Sequence, residues 1–161
     1  LTQTLEQTEG RAEWFELEIT EHAMLDDADH TSDVISELTA LGFRIAIDDF
    51  GTGYSSLSYL KNFRIQTLKI DLSFVHDMIR SPQSEAVVRS IISLGKGLDL
   101  TIVAEGIETE EQARLLTEAG CTLLQGYYFA HPMPAEEYRA WLARGVVIQD
   151  AGSGESRRLR T

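Results

Sequence analysis

Residues 14–19 read W-F-E-L-E-I, apolar and charged side chains in strict alternation, the signature of a strand with one face against a core. The pattern then lengthens to a helical period. In residues 28–41, Val34, Ile35, Leu38 and Leu41 form one stripe that Gly42 stops. The same exchange of periods repeats down the chain. Residues 1–10 read as the end of a helix, residues 43–48 as a strand and Leu57 to Leu60 as a short helix. A strand at 65–71 follows, and Ser81-Pro82 opens a helix running to about Gly97. Beyond a strand at 101–105, Thr109-Glu110-Glu111-Gln112 has capping-box form and starts a helix that Gly120 ends. A fifth strand is expected at 121–125, and Pro134 opens a last helix through Trp141 and Leu142. Residues 1–144 are thus expected to be one folded unit, and 145–161, rich in Gly, Ser and Arg, a disordered tail.

Strict strand–helix alternation implies a parallel sheet of βα units. Within the strands one phase is apolar: Phe15, Leu17, Ile19, Phe43, Ile45, Ile47, Leu68 and Ile70. The other carries Glu16 and Glu18; Arg44, Ala46 and Asp48; Thr67, Lys69 and Asp71; Thr101, Val103 and Glu105; Cys121, Leu123 and Gln125. A sheet covered by helices on both faces would be apolar in both phases. One polar phase points instead to an α/β, TIM-like barrel with a polar interior.

In such a barrel the chemistry sits at the carboxyl ends of the strands. This chain places there Glu18, the adjacent pair Asp48 and Asp49, Lys69 with Asp71, Glu105 and Gln125. Neighbouring residues on a regular strand face opposite ways, so only one of Asp48 and Asp49 is expected to aim at a shared site. Carboxylates converging on one mouth repel, and hard divalent cations with oxygen ligands, magnesium or manganese, relieve the repulsion. Gly51-Thr52-Gly53 follows the acids as a turn able to close over what they bind, and its spacing matches neither a dinucleotide nor a P-loop fingerprint. An interior salt bridge or a solvated loop position is the plainer account of any one of these acids. Five strand ends carrying polar groups together favour a site.

Charge and cysteine content narrow the classes further. A formal net charge of -12 argues against binding a nucleic-acid polymer through its backbone. The single cysteine, Cys121, rules out an intrachain disulfide and fits a reducing, cytoplasmic setting. No apolar run approaches a membrane span. Cys121 reads as a small core residue, His131 as a surface-loop histidine, and His22 and His76 as exposed side chains.

D-D-F-G-T-G-Y-S-S-L (48–57), preceded by L-E-I-T-E (17–21) and followed by L-K-I-D (68–71), V-A-E-G-I-E-T (103–109) and Q-G-Y-Y-F (125–129), closely resembles the EAL-domain family, bacterial phosphodiesterases that linearise cyclic di-GMP. The resemblance runs from residue 1 to about Leu142. It implies metal binding, through two ions of Mg2+ or Mn2+, by Glu18, Asp48, Asp49 and Glu105, with Asp48 bridging. It further implies that Lys69 acts on the nucleophilic water, that Gln125 supports solvent and substrate, and that Glu108 is a second acid near the site. Glu21 would anchor the loop that contains Gly51, Thr52, Gly53 and Tyr54. A homodimer of the complete domain and linkage to sensor or GGDEF-type domains are the expected partnerships.

The name-giving Glu-Ala-Leu segment does not occur in these 161 residues. The chain starts at Leu and resembles only the last five of eight βα units. One glutamate ligand, an asparagine ligand and a phosphate-contacting arginine are therefore expected upstream, in a longer parent, and the 161 residues alone are expected to be inactive. Two other readings compete: an enolase-like proton abstraction with Lys69 as base, and a catalytically inactive cyclic di-GMP-binding or protein-interaction module.

Overall fold

The alternation at the start of the chain becomes strand β1 (Glu16–Thr20), whose residues alternate between exposed and half-buried. In the computed structural model, which describes residues 2–26, 28–53, 60, 63–121, 123–143, 147–149 and 156–158, four more strands run parallel to it. They are β2 (Arg44–Phe50), β3 (Thr67–Ile70), β4 (Thr101–Ala104) and β5 (Leu123–Leu124). Their order in the sheet is their order in the chain, β1-β2-β3-β4-β5, and β1 and β5 are its two edges. Helix α1 (Thr2–Thr8) precedes the sheet. Helices α2 (Glu21–Asp26) and α3 (Ala28–Ala40) follow β1, α4 (Leu72–Asp77) and α5 (Pro82–Gly97) follow β3, α6 (Glu110–Ala119) follows β4, and α7 (Ala135–Ala143) follows β5. The result is an open, five-stranded portion of a TIM-like barrel, the class that the polar strand phase predicts.

The apolar phase builds the core between sheet and helices. Ile45, Ile47, Leu68, Ile70, Ile102 and Ala104 are buried and join Ile35, Val88, Ile92 and Leu116 in one cluster. The opposite phase is covered only toward the middle of the sheet. Thr67 and Lys69 on β3 are buried, whereas Glu18 and Leu123 near the edges are open. An interior side chain needs a strand on each side to shield it, and the edge strands have a neighbour on one side only.

The end signals of the helices hold in detail. Ser81 Oγ accepts from Ser84 N, with Pro82 at the first helical position. Thr109 and Gln112 form the reciprocal capping box, and Gly120 closes α6 at φ +87°. Three expectations are corrected. Helix α4 is additional, started by Asp71, whose carboxylate accepts from Ser73 N at 3.0 Å. The stripe of α3 centres on Ile35 and Leu38, while Val34 and Leu41 are exposed. Strand β2 runs two residues further than expected, through both aspartates to Phe50.

The short helix expected at Leu57 to Leu60 lies outside the described residues except for Leu60, which is buried. In the stretch expected to be a tail, Val147–Gln149 and Ser156–Arg158 pair antiparallel as β6 and β7. Among the described residues no helix is long and apolar enough to cross a membrane.

Candidate active site

Lys69 is the centre of the interior face. Its ammonium lies 2.7 Å from Glu18 Oε1, 3.1 Å from Asp48 Oδ1 and 2.9 Å from Glu105 Oε1, so β1, β2, β3 and the residue after β4 each send one group to a single point. Asp48, Lys69 and Glu105 lie toward the carboxyl ends of their strands, and Glu18 reaches them from the middle of β1. Lys69 is 6% exposed. Burial alone would lower its pKa, but hydrogen bonds to Glu18, Glu105 and Asp48 outweigh it, and the group is held above its ordinary range. The three acids thus favour the charged form of Lys69. An enolase-like step needs a neutral amine at this position, and the three acids oppose that form.

Asp49 reaches the same mouth through a local break in the sheet. Ile47 pairs with Leu68 and Phe50 with Ile70, so Asp48 and Asp49 together stand opposite Lys69 alone, as in a β-bulge. Asp49 takes a left-handed backbone at φ +54°, and its N–H donates to Asp48 Oδ1 at 3.1 Å. An aspartate tolerates this conformation better than most residues. The bulge cancels the alternation that would have turned one acid away. Burial, then repulsion from Asp48 and Asp71, raises the Asp49 pKa, while Lys69 pulls it down.

The turn after these acids is held from beneath. Glu21, at the start of α2 and 1% exposed, accepts from Gly51 N at 2.8 Å and from Gly53 N at 3.3 Å. Gly51 has φ +104°, and a Cβ there would stand 2.9 Å from the Phe74 ring. Thr52 Oγ1 donates to Asp49 O at 2.9 Å and is exposed. Tyr54 lies outside the described residues.

Glu108 and Gln125 are exposed, and their backbones are tied into the same rim. Gln125 N donates to Ala104 O, and Ile107 N donates to Gln125 O at 3.1 Å. Glu108 N donates to the Gln112 side chain at 2.8 Å. Below the lysine, Arg44 Nε lies 3.3 Å from Glu16 Oε2, which also accepts from Thr67 Oγ1 at 2.6 Å. The Arg44 side chain is 50% exposed, so this pair is screened and contributes about 0–1 kcal/mol in the open sheet. Cys121 belongs to the helix-side core rather than the polar interior, and His131 is exposed and lies against Tyr127 with ring centroids 4.3 Å apart.

The sequence pattern places Asp71 at a strand end with Lys69 but does not show its capping role, and it marks Gln112 only as a capping residue. Asp71 caps α4 and faces Asp49, and Gln112 is 3% exposed. The Asp71-x-Ser73 pair and the capping box were their visible traces.

An open barrel segment that gathers acids around one cation defines an α/β-barrel domain with an acidic mouth. The EAL domain family matches residues 1–132, and the chain belongs to that family. Over 127 residues it is 47% identical to MucR of Pseudomonas aeruginosa, a bifunctional diguanylate cyclase/cyclic di-GMP phosphodiesterase, covering 79% of this chain and 18% of MucR. The chain thus spans about a fifth of the length of that relative. The solved PaMucR phosphodiesterase in its c-di-GMP complex superposes with a TM-score of 0.83 at 43% identity, over 85% of this chain and 56% of that one. BlrP1 of Klebsiella pneumoniae, solved with manganese and cyclic di-GMP, superposes with a TM-score of 0.75 at 35% identity, over 81% of this chain and 33% of that one.

The donor chemistry at the mouth suits a hard cation. Glu18, Asp48 and Glu105 offer carboxylate oxygens and share one ammonium, which leaves an excess of negative charge with Asp49 beside it. Among the described residues, no group of three His, Cys, Asp or Glu side chains is spaced to hold a metal ion, and three of the acids pair with Lys69 instead.

Proposed function

We propose that the domain to which this chain belongs hydrolyses cyclic di-GMP to the linear dinucleotide with the help of divalent cations, two ions of Mg2+ or Mn2+. The observation that carries this reading is the convergence of Glu18, Asp48 and Glu105 on Lys69 Nζ from neighbouring strands. Glu18, Asp48, Asp49 and Glu105 are the residues that would hold the cations. When bound, such ions supply charge neutralisation and Lewis-acid activation for phosphoryl chemistry.

The chain's own groups then have separable tasks. Lys69, favoured in its charged form, orients the incoming water and opposes negative charge growing on the phosphoryl oxygens. Gln125 offers an amide to solvent and substrate at the rim, and Glu108 a carboxylate. Glu21 fixes the backbone of the Gly51–Gly53 turn, so that Asp48 and Asp49 are presented in one geometry. Thr52 and Tyr54 belong to the part of that loop that meets substrate.

Two open sheet edges and coverage of little more than half of the PaMucR chain support a further part of the proposal: activity requires a closed barrel completed by residues outside these 161. In its complete form the domain works as a homodimer in the cytoplasm, joined to sensor or GGDEF-type domains; the bifunctional name of MucR supports the linkage to a cyclase. The test is direct. The complete domain, incubated with cyclic di-GMP and Mg2+ or Mn2+, is expected to release linear dinucleotide. Asp48→Asn and Glu105→Gln are expected to lower turnover by orders of magnitude. Tight binding of cyclic di-GMP with no product under either metal would overturn the enzyme reading in favour of a receptor.

A further inference from the structure

Gln112 has two attachments, and a helix cap explains only one of them. Its Oε1 accepts from Thr109 N at 2.9 Å and from Glu108 N at 2.8 Å, which is the capping function extended by one residue. Its Nε2 points the other way and donates to Val75 O of α4 at 3.3 Å. The side chain is 3% exposed, so both ends are shielded from water. It bridges the loop after β4, which carries Glu105 and Glu108, to the helix after β3, which Asp71 caps and which follows Lys69 by three residues. The same loop touches α4 a second time at Gly106, held at φ +69°, where a Cβ would stand 2.7 Å from Leu72 Cβ. On its far side the loop is pinned by Ile107, which donates to Gln125 O and accepts from Tyr128 N.

We propose that Gln112 is a positioning residue that clamps the Glu105–Glu108 loop onto α4 and so sets where the Glu105 carboxylate meets Lys69 and any cation at the mouth. This rests on the metal-dependent reading above. A buried amide that satisfies two loop N–H groups and a carbonyl from a separate helix removes the freedom of that loop to drift along the strand axis. Side chains that orient ligating carboxylates from behind typically change metal affinity by roughly 10–100-fold when replaced.

Two substitutions separate clamp from cap. Gln112→Glu keeps the acceptor that a capping box uses but loses, when ionised, the donor to Val75 O. Gln112→Met removes both. The experiment measures Mn2+ affinity of the complete domain from the resonance signal of the free ion, together with hydrogen exchange at the Glu108 and Thr109 amides. Both variants are expected to bind Mn2+ roughly 10–100-fold more weakly than the native protein. Gln112→Glu is expected to retain protection at Thr109, and Gln112→Met to lose it. Folded variants with native Mn2+ affinity, alongside a Glu105→Gln control that binds weakly, would overturn the clamp and leave the metal reading standing. A Glu105→Gln control with native affinity would overturn the metal reading and the clamp with it. If neither variant folds, Gln112→Asn, which keeps the amide but is too short to span from the loop to Val75 O, decides: weakened Mn2+ binding supports the clamp, and native affinity overturns it.

Discussion

Lys69 Nζ stands 2.9 Å from Glu105 Oε1, the two reaching each other from β3 and from the end of β4. With Glu18 and Asp48 on the same ammonium, one cation holds three acids together. Lys69→Met keeps most of the side chain's length and removes the charge. It is expected to destabilise the folded domain by about 3–5 kcal/mol, nearer the lower figure because Glu18 is half-exposed. The acids then repel without a resident cation, so added Mg2+ is expected to raise the melting temperature of the variant more than that of the native protein. Thermal melts with and without Mg2+ check this, and equal shifts in the two proteins would contradict it.

Glu21 holds the turn after the aspartates by two backbone N–H groups, and Gly51 lies against Phe74. Glu21→Ala removes Oε2, the single buried oxygen that accepts from both amides. It is expected to expose the Gly51 and Gly53 amides to hydrogen exchange and to weaken divalent-cation binding. Glu21→Gln retains one acceptor oxygen, enough for both amides, and is expected to stay closer to the native protein than Glu21→Ala does. Gly51→Ala combines a left-handed φ with a methyl 2.9 Å from an aromatic carbon, and is expected to destabilise by more than the roughly 1 kcal/mol of an ordinary glycine replacement. Native loop protection in Glu21→Ala would remove Glu21 from this role.

Much of this site is legible in the residues, because strand periodicity is a strong signal and polar residues in one phase mark the interior. Lys69, Glu18, Asp48 and Glu105 converge as that phase requires. What periodicity cannot express is a departure from period. The bulge at Asp48 and Asp49 lets neighbouring residues face one mouth, and only pairing with β3 reveals it. Helix α4 spans six residues, too few for a repeating stripe, so its one local trace is the Asp71 cap. Gln112 reads as a capping residue because its second partner, Val75, is 37 positions away. Glu16 and Arg44 do meet, as their phases predict, yet Arg44 stays half-exposed because β1 has no strand on its outer side.

Cys121 carries the clearest pH dependence. Burial pushes its thiol up from an ordinary 9.0 to about 11, against weaker opposing pulls from backbone hydrogen bonds and Lys96. The folded state therefore keeps its proton where the unfolded chain has lost it. The stabilisation is fully present below the unfolded pKa and is lost as pH rises through the window from 9.0 to about 11, an effect of about 2–3 kcal/mol. Cys121→Ala is expected to lack this part of the alkaline slope in denaturant titrations. A thiol-alkylating reagent at neutral pH is expected to leave Cys121 unmodified until the protein unfolds, and rapid labelling of the native state would refute the burial argument.

The 161 residues taken alone are the sharpest test of the barrel reading. Backbone donors and acceptors along the outer sides of β1 and β5 have no strand partner within the five-stranded sheet. Apolar side chains crowd both edges: Trp14 is 67% exposed and Phe15 47% beside β1, and Leu123 is 48% exposed on β5. Closure removes edges, and an unclosed segment with apolar flanks favours pairing with another copy. The isolated chain is therefore expected to self-associate as its concentration rises, to melt at a lower temperature than the complete domain, and to leave cyclic di-GMP uncleaved. Sedimentation across a concentration series and a product assay check the two halves separately. A monomer that melts cooperatively and releases linear dinucleotide would show that strands beyond these five are dispensable, because Glu18, Asp48, Asp49, Glu105 and Lys69 would then suffice for the chemistry.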